Sequence, residues 1–389
     1  MRRASAIHPQ TEGAPPRSAA QNEIVRALTG DVLRRAARCW NAPLDTLAAL
    51  PAVQNFVYAM DSAEGPAILR LTHERHRTAE EVEAELCWIA DLAGRKLNVA
   101  RPRRSRSGAW LEIIESTCGK FIATSFERAA GVAFDLSRPQ RWNAKLFEGW
   151  GALVAQLHNA ARESGWSEGS LRRPSWQGES VVRNFKLYVP QSEALVRTAF
   201  ARVIRELNAL PRSRASYGLI HADLNHDNLF FDDGRLVVFD FDDCCFCWFA
   251  YDLAVAIYHL PASETQSATN ANAQRAFRWL LRRYGTCRPI RPGMARMGSV
   301  VPEMARSAHL RFLLRTTRDR FVAGTFSKKI RSNARTDRTG PTDCGYLRHS
   351  VSLKCGPEMI RSPSRRPFLP TPNHCHEASG ISQMPCLKK

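Results

Sequence analysis

Two polar groups of residues stand close together in the second half of the sequence, each between apolar stretches. The first runs from His221 to Asn228 and contains Asp223, and the second begins at Asp240, 12 residues after Asn228. Phosphoryl transfer requires a carboxylate that accepts a hydroxyl proton and hard oxygen ligands for Mg²⁺. Asp223, Asn228 and Asp240 have these functional groups. The alternative is an Asx-rich turn between strands, but such a turn would not need apolar flanks.

The spacing of these residues is that of the catalytic loop of kinases, in which an Asp is followed five residues later by an Asn and a later Asp binds metal. A strand at 218–220 leads into the first polar group. Residues 229–231 and 235–239 predict a hairpin around the turn 232–234. Apolar periodicity predicts helices on either side of this β segment, at 146–160, 191–210, 251–260 and 270–284.

The first half of the chain predicts a smaller, β-rich lobe. Its strand-like segments are 53–59, 67–72, 110–114 and 121–126. One apolar stripe predicts a helix at 22–39. A second helix is predicted to run to about residue 93 from a capping box formed by Thr78 and Glu81. The order of elements therefore predicts a small β-rich lobe with one long helix, followed by a larger helical lobe.

The positive charge of the chain is concentrated at its end. The 389 residues carry a formal net charge of +19, and residues 285–389 contain 20 Lys and Arg against 6 Asp and Glu, with 10 of the 22 prolines. This composition predicts a basic tail with no stable fold of its own. A tail that binds nucleic acid or anionic lipid is the alternative. Because aromatic residues for base stacking are not interleaved with the charges, we expect no specific nucleic-acid partner.

The sequence also bears on the cellular compartment. It has no run of 18 apolar residues, so we expect no membrane span. The first 20 residues lack the apolar stretch of a secretory signal, and the eleven cysteines are expected to be reduced thiols. These features favour a cytoplasmic protein.

Three stretches of the sequence carry a family resemblance. They are His221-Ala-Asp-Leu-Asn-His-Asp-Asn228, Val238-Phe-Asp-Phe-Asp-Asp243 and Phe249-Ala-Tyr-Asp-Leu-Ala254. Together they resemble the aminoglycoside phosphotransferase family of kinase-like enzymes, which includes small-molecule kinases and a bacterial stress-response Ser/Thr kinase. The resemblance covers about residues 53–260. It implies an α+β, bilobal, protein-kinase-like fold, with ATP and Mg²⁺ as cofactors and transfer of the γ-phosphate to a hydroxyl.

The resemblance also implies roles for residues of the large lobe. Asp223 matches the catalytic base. Asn228 and Asp240 match the metal ligands, and Asp242 is a candidate second carboxylate for the metal. His158 lies on an apolar helix, and we interpret it as a packed core histidine rather than a catalytic group.

In the small lobe, the resemblance implies a nucleotide site. The turn between Val57 and Ala67 would cover the phosphates. Arg70 stands where the family usually has a strand lysine, and Glu85 matches the glutamate that pairs with that basic residue; Glu81 and Glu83 are rivals for this role. The hinge that meets the adenine is expected at Glu112, Ile113 and Ile114.

Two departures from the family pattern stand out. Cys245 and Cys247 occupy positions where similar sequences usually have glycines, so we expect some strain in this loop. The helical lobe of the family normally continues well past Tyr284, and that segment is not recognisable here.

The predicted organisation is an arm without stable structure at 1–20, an N-lobe at 21–115, a helical C-lobe at 116–286 and the basic tail at 287–389. The predicted activity is ATP- and Mg²⁺-dependent phosphorylation of a small-molecule hydroxyl, on an amino alcohol, a hydroxy amino acid or an aminoglycoside. The alternatives are a Ser/Thr protein kinase of the stress-response type and an inactive nucleotide-binding pseudokinase. The sequence assigns no oligomeric state.

Overall fold

The small lobe consists of short strands whose side chains alternate between the two faces of one sheet. A computed structural model describes residues 19–52, 54–134, 142–232, 234–258 and 266–289. Within them, all the pairings of this sheet are antiparallel, in the order β1-β2-β3-β6-β4, with β5 also beside β6. The strands are β1 (Ala48–Leu50), β2 (Phe56–Ser62), β3 (Gly65–His73), β4 (Pro102–Arg103), β5 (Leu111–Ser116) and β6 (Gly119–Glu127).

Each face of the sheet is covered by helices. Leu69 and Leu71 pack on one face with residues of α1 (Ala19–Ala27) and α2 (Gly30–Arg38). Since side chains alternate along a strand, Arg70 points to the other face. That face packs against α3 (Ala79–Gly94), through contacts such as those of Val82 and Leu86 with Ile122.

Two helix starts are fixed by threonine caps. The side chain of Thr29 accepts a hydrogen bond from the backbone N–H of Val32, so the single helix predicted at 22–39 is divided into α1 and α2. Thr78 and Glu81 form the predicted capping box at the start of α3, since each side chain accepts from the other residue's backbone N–H. The box fixes the start of the helix that carries Glu85.

The large lobe has a core of helices around two small antiparallel sheets. One sheet has the order β10-β9-β7, and the other pairs β11 with β8. The strands are β7 (Val132–Ala133), β8 (Tyr217–Ile220), β9 (Leu229–Asp232), β10 (Arg235–Val238) and β11 (Cys245–Trp248). The helices are α4 (Ala144–Glu163), α5 (Ser180–Arg183), α6 (Phe185–Tyr188), α7 (Ala194–Asn208), α8 (Ala250–Tyr258) and α9 (Gln266–Cys287). The hairpin and the four long helices expected here are therefore present, and the bilobal α+β prediction is confirmed.

The folded body extends slightly past the predicted end of the helical lobe. Arg288 is 4% exposed and donates hydrogen bonds to the side chain of Asn159 and to the backbone carbonyl of Ala215, each 2.8 Å long. These contacts fix the end of α9 against α4 and the segment before β8. The predicted arm falls mostly on residues 1–18 and the predicted tail mostly on residues 290–389, outside the described residues. No helix in the described ranges is long and apolar enough to cross a bilayer.

Candidate active site

A cleft of about 650 Å³ lies between the two lobes and collects most of the predicted site residues. Its small-lobe wall comes from β2, β3 and α3, and its large-lobe wall comes from the loops around β9 and β10. The predicted residues that line it are Val57, Arg70, Glu85, Asp223, Asn228, Asp240 and Asp242. Side chains that are 170 residues apart in the sequence therefore face one cavity.

Two amide side chains hold the carboxylate of Asp223. Asn225 donates to its Oδ1 atom at 3.1 Å, and Asn228 donates to its Oδ2 atom at 3.0 Å. The same amide nitrogen of Asn228 also donates to the backbone carbonyl of Asp223 at 2.8 Å. The Oδ1 atom of Asn228 is therefore left as a potential metal ligand. The carboxylate is half-buried and directed into the cleft. This geometry suits a base that accepts a proton from a bound hydroxyl.

Asp252 of α8 fixes the backbone just before Asp223 through hydrogen bonds. Asp252 is fully buried and accepts hydrogen bonds from the backbone N–H groups of His221 (3.1 Å) and Ala222 (2.7 Å). Ala222 has a φ of 65°, in the left-handed region that a residue with a Cβ adopts only at a cost. The bond from its N–H to a buried carboxylate offsets that cost and fixes the direction in which the chain enters the loop at 221–228, which carries Asp223.

His158, which contacts Asp252, is packed in the core as predicted. His158 is fully buried on α4, with its Nε2 atom 3.1 Å from Oδ2 of Asp252 and its Nδ1 atom 3.0 Å from the hydroxyl of Tyr284. Burial lowers its pKa and outweighs the opposite effect of Asp252. His158 therefore joins α4, α8 and α9 beneath the loop.

Asp240 also has a left-handed backbone, with a φ of 62°. The next residue, Phe241, is buried in the core and packs edge-on against Trp88 of α3. The two ring centroids are 5.1 Å apart and the ring planes are perpendicular. Asp240 itself is open to the cleft. Its position deep between the lobes, and then the negative charge of Asp242, raise its pKa above the ordinary value for Asp. A bound cation would relieve this repulsion.

Arg70 and Glu85 form a buried, two-pronged ion pair. The two terminal nitrogens of the guanidinium bond to the two carboxylate oxygens at 2.8 and 2.9 Å, and the side chains are 5% and 0% exposed. Glu85, rather than Glu81 or Glu83, therefore pairs with Arg70. Among the described residues, the buried Nε atom of Arg70 has no hydrogen-bond partner. The pair therefore fixes the guanidinium at the cleft wall and leaves it a donor for a phosphate oxygen.

Asp242 is part of an ion-pair cluster that links the lobes. Its Oδ2 atom lies 2.7 Å from Nε2 of His76, and its Oδ1 atom lies 3.6 Å from Nε of Arg77. Arg77 is buried and also pairs with Asp243 at 3.0 Å. Burial acts to raise the pKa of Asp242, but His76 and Arg77 outweigh it and hold the pKa well below its ordinary value. Most of this carboxylate is thus committed to contacts with His76 and Arg77 of the small lobe.

A second arginine, Arg173 of the large lobe, strengthens this connection through backbone carbonyls. Its guanidinium donates to the carbonyls of Asp242 (2.5 Å), Cys244 (2.8 Å) and Glu81 (3.1 Å). Glu81 lies in the first turn of α3. Arg77 and Arg173, which we call the interlobe arginines, therefore hold the helix that carries Glu85 against the loop that carries Asp240.

The small-lobe loop that lines the cleft is not the predicted turn. Residues 51, 52, 54 and 55, between β1 and β2, line the cleft together with Leu50 at the end of β1, whereas the turn at 62–65 is absent from its lining. That turn is instead held by Arg103, which donates to the side chain of Ser62 and to the carbonyl of Gly65, both at 2.9 Å. In the loop between β1 and β2, Asn55 accepts a hydrogen bond of 2.8 Å from the hydroxyl of Thr72. A buried side-chain contact thus shapes a loop that has no glycine.

The hinge prediction requires a similar correction. Glu112, Ile113 and Ile114 lie on β5 and do not line the cleft. Glu112 accepts hydrogen bonds from two serine hydroxyls, Ile113 is exposed and Ile114 belongs to the small-lobe core. The chain continues from β5 into β6, which pairs with it, and β6 leads toward the large lobe. Residues 126–129 at the end of β6 line the cleft.

The two cysteines do not introduce the expected strain. Cys245 and Cys247 lie on β11, paired with Ile220 and Gly218 of β8, and neither has a positive φ. Both are buried in the large-lobe core. The strand is extended at these positions, so a residue with a Cβ fits there.

The donors at the cleft are compatible with Mg²⁺. Within the described residues, no three His, Cys, Asp or Glu side chains form a ready-made metal site. Mg²⁺ bound with a nucleotide usually takes one or two protein oxygen ligands and completes its shell with phosphate and water. Asp240 and the amide oxygen of Asn228 supply that number, and no donor in the described part of the chain bonds to the buried Oδ1 of Asp242.

Sequence reasoning missed several residues that support the site. Asp252 carried a signal, because a single carboxylate in the apolar stretch at 249–258 must be paired when it is buried. Asn225 lies inside the recognised motif, but its type alone does not reveal its contact with Asp223. The interlobe arginines left no local pattern, since Arg77 and Asp243 are 166 residues apart.

Comparison with known proteins places this architecture. The sequence model of the phosphotransferase enzyme family (APH) matches residues 46–290. An amicoumacin kinase of Bacillus subtilis (strain 168) is 31% identical over 230 residues, which are 59% of this chain and 67% of that protein. A homoserine kinase of Rhodospirillum rubrum is 30% identical over 268 residues, covering 67% of this chain and 76% of the other.

Two solved structures share the fold. The structure of amicoumacin kinase hAmiN in complex with AMP-PNP, Ca²⁺ and Ami superposes with a TM-score of 0.71 at 24% identity, covering 83% of this chain and 98% of that one. The microcompartment-associated aminopropanol kinase gives a TM-score of 0.56 at 20% identity, with coverages of 79% and 98%. Residues 46–290, which the family model matches, include the small-lobe sheet, the large lobe and every residue that lines the cleft. The resemblance seen in the sequence is thereby confirmed, and the chain belongs to the phosphotransferase enzyme family.

Proposed function

We propose that this phosphotransferase moves the γ-phosphate of ATP, bound with Mg²⁺, to a hydroxyl group of a small molecule. The observation that carries the proposal is the convergence of Asp223, Asn228 and Asp240 on one cleft wall with the Arg70–Glu85 pair on the other. An oriented base, oxygen ligands for a metal and a fixed cation for phosphate are what phosphoryl transfer needs from a protein.

The small lobe would bind the nucleotide. The triphosphate would lie against the loop between β1 and β2, with Arg70 donating to a phosphate oxygen. Asp240 and Asn228 would hold Mg²⁺, which neutralises charge on the phosphate oxygens when it is bound. The adenine ring of ATP would enter between apolar side chains of the two lobes. These side chains line the cleft and are Val57 and Ile68 of the small lobe and Phe230 and Phe239 of the large lobe.

Asp223 would remove the proton of the acceptor. As the acceptor oxygen bonds to the γ-phosphorus, the bond from that phosphorus to the bridging oxygen of ADP breaks and the hydroxyl proton moves to the Asp223 carboxylate. The amides of Asn225 and Asn228 keep the carboxylate facing the cleft during this step. General-base assistance of this kind typically contributes about 10²–10⁴-fold to the rate.

The charge of the cleft favours an acceptor that carries an amine. As far as the structure describes the chain, its lining contains seven acidic residues but only two arginines, Arg70 and Arg128; the acidic residues are Glu85, Glu127, Asp223, Asp227, Asp240, Asp242 and Asp243. A protonated amine next to the reacting hydroxyl would be attracted there. Amino alcohols, hydroxy amino acids and aminoglycosides all have this pattern. The names of the amicoumacin, homoserine and aminopropanol kinases support a small acceptor over a protein side chain.

A screen of ADP formation tests the proposal. Purified protein would be incubated with Mg²⁺·ATP and a panel containing homoserine, aminopropanol, amicoumacin, aminoglycosides and acceptors without an amine, with the Asp223→Asn variant as the matched control. We expect acceptor-dependent ADP release that this variant loses. Turnover that is equal in the variant would refute the role of the cleft. Tight Mg²⁺·ATP binding in a thermal-shift assay without turnover on any acceptor would favour the pseudokinase alternative.

A further inference from the structure

Asn225 holds Asp223 in the proposed reaction and also makes a second contact that the reaction has not used. It is 6% exposed and lies two positions after Asp223. Its amide nitrogen donates to Oδ1 of Asp223 at 3.1 Å, and its amide oxygen accepts from the backbone N–H of Asp227 at 2.7 Å. One side chain therefore contacts both the proposed base and the turn that follows it.

The second contact determines where Asn228 lies. Residues His226–Asn228 form a single 3₁₀ turn, and Asn225 is its N-cap. Capping by a side-chain oxygen satisfies an N–H group that the short turn cannot satisfy itself. Because Asn228 is the last residue of this turn, the cap fixes the position from which its amide reaches Asp223 and the proposed metal.

The first contact makes demands that only some side chains meet. The site needs an acceptor directed toward the turn and a donor directed toward the carboxylate, about two bonds apart. An amide has both, a carboxylate has only acceptors, and a serine hydroxyl is too short to serve both partners. The chemistry of the position therefore matches the residue that occupies it.

We propose that Asn225 is a positioning residue that couples the base to the metal-binding side of the cleft. It clamps one oxygen of Asp223 while its cap sets the place of Asn228, which clamps the other. The inference rests on the proposed phosphotransferase activity, because it assigns Asp223 the role of base. It adds that the rotation of the Asp223 carboxylate is controlled by two amides that share one turn.

The decisive variants separate the clamp from the cap. Asn225→Asp keeps an oxygen for the N–H of Asp227 but places a second carboxylate against Asp223. Asn225→Ser keeps an N-cap of similar quality and removes only the donor. We expect both to lower kcat, by roughly 10²-fold for a misplaced catalytic group, while KM for Mg²⁺·ATP stays unchanged. A residue that only supported the fold would lower stability and change both parameters.

A double-mutant cycle provides a readout that needs no activity. Asn225→Asp should lower the melting temperature when Asp223 is present, because two carboxylates then face each other. In the Asp223→Asn background the same change should cost much less. Equal losses in both backgrounds would show that the two side chains do not interact and would overturn the inference.

The two proposals fail in different ways. If the wild-type protein turns over ATP and Asn225→Asp and Asn225→Ser keep its kcat, the positioning role is refuted and the phosphotransferase proposal stands. If the cycle shows coupling but no acceptor supports turnover in the wild-type protein, the clamp stands and the proposed function fails.

Discussion

Removing Glu85 should have a larger effect on the stability of the protein than any other single change of a charged residue on α3. The partner of Glu85, Arg70, is 5% exposed and is held by two hydrogen bonds of 2.8 and 2.9 Å. The Glu85→Ala variant leaves this guanidinium buried and unpaired. Breaking a buried pair in this way costs about 3–5 kcal/mol.

The expected cost converts into a measurable shift of the melting temperature. For a domain of this size, 1 kcal/mol corresponds to about 2–4 °C, so Glu85→Ala should melt roughly 6–20 °C below the wild-type protein. Glu83→Ala is a matched control on the same helix, because Glu83 is exposed. A change at such a surface position is expected to stay within about 0.5 kcal/mol.

A double variant separates stability from nucleotide binding. Replacing both partners, as in Arg70→Met with Glu85→Leu, removes the unpaired charge and should recover most of the lost stability. It should not recover Mg²⁺·ATP binding, because the guanidinium that is proposed to donate to the phosphates is lost. The assay is differential scanning fluorimetry with and without Mg²⁺·ATP. A Glu85→Ala variant that melts together with Glu83→Ala would refute the buried ion pair.

Three further predictions concern the catalytic loop, the metal and the end of the body. Asp223→Asn should lower turnover by about 10²–10⁴-fold while ATP binding, followed by calorimetry, is retained; near-wild-type turnover would rule out a general base at this position. Asp240→Ala should weaken binding of Mg²⁺·ATP more than binding of metal-free ATP, and an equal loss in both titrations would indicate a structural role. A chain ended after Pro289 should melt like the full-length protein, whereas a chain ended after Gly285 loses Arg288 and should melt lower; equal melting of the two would mean that the Arg288 contacts contribute nothing.

The sequence was most informative where function depends on local spacing. The separation of Asp223, Asn228 and Asp240 is set by one loop and one hairpin, so the pattern is visible without the fold. The capping box of α3 and the helices of the large lobe were equally local. Strand pairing is not. Alternation reveals strands but not which strand leads into the other lobe, and the hinge was therefore expected on β5 rather than at the end of β6.

The same reasoning explains why the loop that would cover the phosphates was predicted at the wrong place in the sequence. The three-residue strand β1 is too short to show alternation, so the hairpin of β2 and β3 was interpreted as the first of the lobe. The contacts of Asp252 with the catalytic loop, and those of the interlobe arginines, join residues far apart in the chain. Each partner alone has the composition of an ordinary surface or core position, and only the fold brings them together.

The interlobe arginines also affect how the two lobes unfold. A buried guanidinium and the carboxylates around it cannot be separated without exposing unpaired charges at a low-dielectric junction. Opening of the small lobe alone would therefore be costly, and the lobes should lose their structure in one cooperative step. In hydrogen exchange, amides of α3 and of the segment around Asp242 should then have similar opening free energies. Although they belong to different lobes, they would form a single cooperative unit.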